Sequence, residues 1–398
     1  MLRSEKSTLK QIPRGVWVLG FVSMLMDISS EMVHSLLPLF LVGALGATAL
    51  TIGIIEGVAE ATALIVKVFS GVLSDYFGKR KWLAVLGYGL GALSKPFFAL
   101  ATSSGAVFAA RFADRIGKGI RGAPRDALIA DITPPAIRGA AYGLRQAIDT
   151  FGAFVGPLLA VALMLLWSND FRAIFWVATI PAILAVLLLI VGIKEPKTSV
   201  KTRRENPIKR ANLSRLGSAY WWIVVIGALF MLARFSEAFL VLRAEQSGIA
   251  LALVPLMLVA MNLVYSALAY PFGKLADRLS QKHLLAGGLI VLLLADLVLA
   301  SSTHWLVLLI GLILWGVHMA MTQGLLAAMV ANAAPADLRG TAFGFFNLLS
   351  GIALLIASVA AGWIWQTFGA EWTFYAGAGL AIVALLVLVA APKDTFNA

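Results

Sequence analysis

Apolar stretches long enough for a helix to cross the hydrocarbon core of a bilayer, about 20 residues each, recur along the whole chain. They fall at roughly 16–42, 49–70, 82–101, 105–127, 139–166, 171–193, 218–242, 250–271, 283–300, 305–332, 339–365 and 371–391. A segment inside lipid has no water to bond its backbone, and a helix satisfies every N–H and C=O within itself. The composition agrees: 60% of the residues are hydrophobic and only 13% charged, far from the balance of a soluble domain. The expected fold is an all-α membrane protein with twelve transmembrane helices.

The net charge of +12 would suit a nucleic-acid binder, but its placement points to membrane topology and no nucleic acid is expected. Lys and Arg gather at the N-terminus (Arg3, Lys6, Lys10, Arg14), at Lys79, Arg80 and Lys81, at Arg138, in 194–215, at Arg278 and Lys282, and at Arg339. The alternate connections 43–48, 102–104, 167–170 and 301–304 contain neither residue. By the positive-inside rule the basic loops and both termini are cytoplasmic, as in a multi-pass protein of a bacterial-type inner (plasma) membrane. The run behind the basic N-terminus is too long and too acidic for a cleavable leader, so no signal peptide is expected. With no cysteine there is no disulfide framework, thiolate metal site or redox motif.

The chain repeats itself. PPAIRGAAYG at 134–143 and PADLRGTAFG at 335–344 align without a gap at an offset of 201 residues, and GVLSDYFGKRK at 71–81 matches GKLADRLSQK at 273–282 at an offset of 202. Two unrelated motifs displaced by half the chain mark a duplicated six-helix unit. An even helix number keeps both copies in one orientation, a parallel repeat about an axis along the membrane normal. The expected organisation is a six-helix bundle over 1–193, a basic cytoplasmic linker over 194–217 and a second bundle over 218–398.

These residues resemble the major facilitator superfamily, and the resemblance covers the whole chain. The segment 71–81 is similar to that family's loop between helices 2 and 3, with Gly71, Asp75, Gly78, Lys79 and Arg80 in place; the second copy keeps Gly273, Asp277 and Arg278. Arg111 stands where the family places a buried arginine in helix 4, while Arg115 replaces a glycine expected four residues later. In helix 5, Gly143, Gly152, Gly156 and Pro157 match the spacing of a signature associated with the family's proton-coupled, drug/H+ antiporter-like exporters, with Ala160 where a final glycine is common. Small residues let helices approach closely and Pro kinks the rod; ordinary tight packing is the alternative reading.

Charged residues inside the spans need a reason, because an ionised side chain at mid-bilayer costs at least about 2.5–3.5 kcal/mol. Asp27, Glu31 and His34 in the first span are separated by four and three positions and share one narrow face. Glu56, Glu60 and Lys67 share a face of the second. The fourth carries a stripe of Arg111, Asp114, Arg115, Lys118, Arg121 and Arg125. Chain direction places Asp27, Glu31, Glu60, Asp114 and Arg115 near one level. The repeat is an internal control: Leu312, Gly316, Met319, Thr322 and Leu326 occupy the positions of the five stripe cations, so the fold does not require charge there. Two readings compete, a buried ion-pair network between the acids of spans 1 and 2 and the cations of span 4, and a titratable cluster facing a cavity. Arg145 and Asp149 read as a self-paired couple, as do Arg234 and Glu237. Asn262, His318, Gln323 and Asn347 are polar groups able to face a cavity or to bond a neighbouring helix.

Together these features predict a secondary transporter working by alternating access, acting as a monomer on a small organic solute or drug. Export is driven by the proton gradient without any cofactor; Asp27, Glu31, Glu60 and Asp149 are the candidate proton-carrying groups. No P-loop motif appears, so ATP coupling is not expected. The rival within transport is a divalent-metal exporter using Asp27, Glu31 and His34, although no resident metal site is expected. An intramembrane metal hydrolase is a remote alternative, lacking an HExxH-type ligand pair.

Overall fold

The computed structural model describes residues 11–77, 79–195, 215–276, 279–335 and 338–392. Among the described residues there are fourteen α-helices: α1 Arg14–His34, α2 Leu37–Gly43, α3 Ala49–Phe77, α4 Arg80–Leu100, α5 Ser104–Ile132, α6 Arg138–Leu166, α7 Phe171–Gly192, α8 Ser218–Ala233, α9 Ala238–Glu245, α10 Val254–Ala276, α11 Gln281–Ser301, α12 Trp305–Ala333, α13 Arg339–Phe368 and α14 Ala370–Ala390. The first span is α1 with α2 and the seventh is α8 with α9, so the fourteen helices make twelve crossings. Eleven of these are long and apolar enough to span a bilayer; the twelfth is α5, whose charges lower its hydropathy.

Both breaks were absent from the sequence expectation, and each has a local cause. Pro38 carries no N–H to donate to the His34 carbonyl and its ring opposes that oxygen, so α1 stops at His34. Between α8 and α9 the backbone leaves the helix at Arg234 (φ −110°, ψ 89°). The freed Ser236 N–H donates to Ser358 Oγ at 3.2 Å, and Ser236 Oγ accepts from the Ala238 N–H at 3.2 Å. Non-helical backbone at membrane depth persists where protein groups satisfy it in this way.

The chain forms two compact units, residues 1–36 with 65–205 and residues 37–64 with 206–398. In the first, α1 packs on α6 and α7, and α4 on α5 and α7. In the second, α12 packs on α10 and α11, and α14 on α8, α11 and α13. The beginning of α3 belongs to the second unit, where it meets α13 backbone to backbone. A Cβ at Gly362 would lie 2.5 Å from Ala49 O, one at Gly57 would lie 3.1 Å from Leu355 O, and one at Gly53 would collide with Ser358 O. Close approach through small residues of this kind is how membrane helices gain contact. Leu86, Leu93 and Phe97 on α4 and Ile180, Leu187 and Val191 on α7 are exposed, as a lipid-facing surface requires.

Equivalent bonds recur in the two units at the offset of 201. Lys81 Nζ donates to Ile190 O at 2.8 Å at the end of α7, and Lys282 Nζ donates to the equivalent Ala391 O at 3.4 Å just past α14, as well as to Val389 O at 2.9 Å. Arg138 Nε donates to Ala130 O at 3.2 Å and Arg339 Nε to Ala331 O at 3.1 Å. Cations on the last carbonyls of a helix also complement its dipole.

Candidate functional site

The glycines of the α6 signature seat α1. A Cβ at Gly152 would lie 2.5 Å from Met24 O, and one at Gly156 would lie 2.8 Å from both Ile28 O and Glu31 Cβ. No larger residue permits this approach, and it sets the α1 face bearing Asp27 and Glu31 against α6. Gly143 and Gly273 have open space around their Cα atoms, so no steric demand for glycine acts there.

Asp27 is half-buried and lies in the electrostatic field of Asp149 on α6, Arg121 and Lys118 on α5, and Glu31 on its own helix. Glu31, 27% exposed, approaches the His34 imidazole, Oε2 to Nδ1 at 3.5 Å, and faces Lys118 and Arg115. Asp149 pairs with Arg145 one turn away at 2.9 Å, and Arg145 also donates to Gln146 Oε1 at 2.9 Å.

The α5 stripe divides by depth of burial. Arg111, Asp114, Arg115 and Arg121 are all at most 4% exposed, whereas Lys118 is exposed and Arg125 half-buried. The partner of Asp114 is a residue that the sequence reading passed over, Lys95 on α4. Its Nζ lies 2.8 Å from Asp114 Oδ1, with the two side chains 1% and 3% exposed. Lys95 Nζ also donates to Ser30 Oγ at 3.1 Å, and Arg115 Nε is 3.9 Å from Asp114 Oδ2. Three glycines make the pair possible: a Cβ at Gly87 or Gly117 would lie 2.7 or 2.6 Å from the other's carbonyl oxygen, and one at Gly91 would touch Arg121 at 3.0 Å. Arg121 rests over the Tyr88 ring, 5.0 Å from its centroid. Tyr88 Oη shares a hydrogen bond with Ser23 Oγ at 3.1 Å, and Ser23 Oγ accepts from Arg125 at 3.2 Å. A single lysine in an otherwise apolar span was the available signal for Lys95.

The second unit has its own polar cluster at the α8–α9 break. Arg234 pairs with Glu237 at 3.0 Å. With its amide oxygen turned toward the guanidinium, Gln323 accepts from Arg234 at 2.9 and 3.2 Å and donates to Tyr265 Oη at 2.9 Å. His318 is fully buried; its Nδ1 is 2.8 Å from Gly288 O on α11 and its ring stacks on Phe230 at 5.0 Å. Asn262 and Asn347 are half-buried, and on α3 Glu56 is buried and Glu60 half-buried.

At the loop motifs, Arg80 pairs with Asp131 at the end of α5, and Lys79 is exposed. Gly78, Asp277, Arg278 and the side chain of Asp75 lie outside the described residues, as does most of the 194–217 linker. Among the described residues no three His, Cys, Asp or Glu side chains are gathered to hold a metal ion.

Comparison with known proteins identifies the family. The family model for the Major Facilitator Superfamily matches residues 19–243 and 225–397. The uncharacterized MFS-type transporter MJ1317 of Methanocaldococcus jannaschii is 32% identical over 396 residues, 98% of this chain and 97% of that protein. The multidrug resistance protein MdtH of Yersinia pestis is 23% identical over 359 residues, 89% of this chain and 87% of that protein. The crystal structure of the nucleoside transporter NupG superposes with a TM-score of 0.77 at 12% identity, covering 94% of this chain and 98% of that one. Its likeness is one of fold. The relatives are transporters rather than enzymes, and the chain is a multi-pass membrane transporter that belongs to the Major Facilitator Superfamily.

Proposed function

We propose that this transporter exports a small organic solute in exchange for protons, as a monomer in a bacterial-type inner membrane with both termini in the cytoplasm. The observation that carries the reading is the contrast between two sets of charges in one bundle. Lys95 and Asp114 are sealed and paired, which is what a structural ion pair needs. Asp27 and Glu31 are partly exposed beside Asp149 and the exposed Lys118. A charge exposed on a membrane-crossing helix faces water rather than lipid, and two carboxyls one helical turn apart beside cations can exchange a proton for a charged or polar solute. The spacing of the α6 glycines and the likeness to a multidrug resistance protein support export. The polar cluster of Arg234, Glu237, Tyr265 and Gln323, beside a broken helix, is the corresponding solute-contacting surface proposed for the second unit, since discontinuous helices build many transporter sites.

Divalent-metal export receives less support, because Asp27 is not gathered with Glu31 and His34 into a three-ligand set. The test uses the purified chain in proteoliposomes with a panel of organic cations and neutral drugs. Asp27→Asn or Glu31→Gln should abolish proton-driven efflux while solute-for-solute exchange continues. Full proton-driven efflux by both variants refutes the assignment.

A further inference from the structure

Asp296 on α11 is fully buried, and neither carboxylate oxygen has a hydrogen-bond partner among the described residues. It occupies space vacated by a glycine: a Cβ at Gly377 on α14 would lie 2.7 Å from Asp296 Oδ2 and 3.1 Å from Phe235 Cε1. Phe235 in turn meets Trp315 at 5.6 Å and Phe374 at 5.5 Å, so the carboxyl stands at the edge of an aromatic cluster.

The repeat shows how unusual this position is. Shifted by 201, Lys95 becomes Asp296 and Asp114 becomes Trp315. In the first unit the two positions form the 2.8 Å ion pair. In the second, neither Asp296 nor Trp315 Nε1 has a hydrogen-bond partner among the described residues. The charged and titratable groups on the elements packed around α11 are otherwise engaged or turned away. On α12, His318 is held by Gly288 O at 2.8 Å. On α14, Glu371 and Tyr375 are exposed. From α9, Arg243 donates to Leu299 O at 2.9 Å, Gln246 Oε1 at 2.8 Å, Ala300 O at 3.2 Å and Ser302 O at 3.3 Å. At the break, Arg234 is paired with Glu237 at 3.0 Å.

A carboxylate in such surroundings does not persist without neutralisation. A metal ion needs several oxygen ligands, and no such set is gathered among the described residues. A proton needs one oxygen. We propose that Asp296 is a second proton-binding carboxyl, in the C-terminal half, separate from the α1 carboxyls. Where the N-terminal half neutralises this position with a permanent ion pair, the C-terminal half neutralises it with an exchangeable proton, taken from water onto one Asp296 oxygen and returned to water from it. This goes beyond proton coupling at α1 and does not depend on it, because the site is read without substrate or gradient.

The test is infrared spectroscopy of the purified full chain in detergent at neutral pH. The protonated-acid carbonyl absorption of the wild type should lose its Asp296 component in Asp296→Asn, keep that component in Asp27→Asn, and move to lower frequency in D2O. Asn preserves the shape of the side chain, so a packing role would survive the change while that component would not. A wild type without the absorption, an absorption untouched by Asp296→Asn, or one that fails to move in D2O overturns the proposal. Should Asp296→Asn fail to fold, the wild type decides alone: a hydrophobic carbodiimide, which reacts with protonated carboxyls in apolar surroundings, should label Asp296 by peptide mass mapping, and an unlabelled Asp296 overturns the proposal.

Discussion

Removing Asp114 should damage the protein more than removing Lys95, although the two form one ion pair. Asp114 lies 2.8 Å from Lys95 and also faces Arg115, Arg111 and Arg121. Asp114→Asn therefore leaves four cations confronting one another without that anion, in surroundings where all four are at most 4% exposed. Stranding buried charge is destabilising by roughly 3–5 kcal/mol. Lys95→Met deletes the charge-assisted bond to Asp114 and the bond to Ser30 Oγ while three arginines still compensate the acid, a loss of about 1.5–3 kcal/mol. The double variant Lys95→Met with Asp114→Asn should recover part of the Asp114 penalty, because one cation is removed with the anion, but not all of it. Reversible denaturation in mixed micelles, with the four proteins of the double-mutant cycle side by side, gives the ordering directly. Equal losses from the two single changes, or a double variant whose loss equals their sum, would show that Asp114 is not the hub of these cations and refute the reasoning.

Gly156→Val should separate α1 from α6, since the new side chain starts 2.8 Å from Ile28 O; overpacking of this kind costs typically about 1–3 kcal/mol, read as a lower melting temperature, with proton-driven efflux falling further than stability. Gly143→Ala, where nothing stands within 4 Å, should leave both unchanged. Ser358→Ala removes the acceptor of the Ser236 N–H and should cost about 1–3 kcal/mol for the stranded amide, with faster hydrogen exchange at the α8–α9 break as the specific readout. Lys282→Met should cost only about 0.3–1 kcal/mol, the value of a cation at a helix C-terminus, because its ammonium reaches carbonyls near the surface end of α14.

Much of the architecture was legible before any coordinates. The number of crossings follows from apolar length, and the duplication from two motifs displaced by 201 and 202 residues; the corresponding bonds of Lys81 and Lys282 and of Arg138 and Arg339 express that duplication in hydrogen bonds. The Arg145–Asp149 pair was legible for a local reason, since residues four apart on a helix are neighbours whatever surrounds them; Arg234 and Glu237 pair at 3.0 Å across the α8–α9 break instead, where helical spacing no longer applies. Glycines 152 and 156 were recognisable as a close-packing signal, but the partner they admit was not.

What the sequence by itself determined is therefore what the periodicity of one helix and the length of one span dictate: the membrane-crossing helices, the repeat, and the charges that share a face. The tertiary structure alone decided which charges are sealed and which are open. Lys95 meets Asp114 because Gly87, Gly91 and Gly117 bring α4 and α5 into contact, and that contact leaves Lys118 exposed on the same helix whose Arg115 and Arg121 are buried. Asp296 has no hydrogen-bond partner among the described residues, and the position related by the repeat to Asp114 holds Trp315 rather than an acid or a base. Pairing between helices depends on how closely and at what rotation two rods approach, a property of both surfaces at once, and no single stretch of sequence contains it.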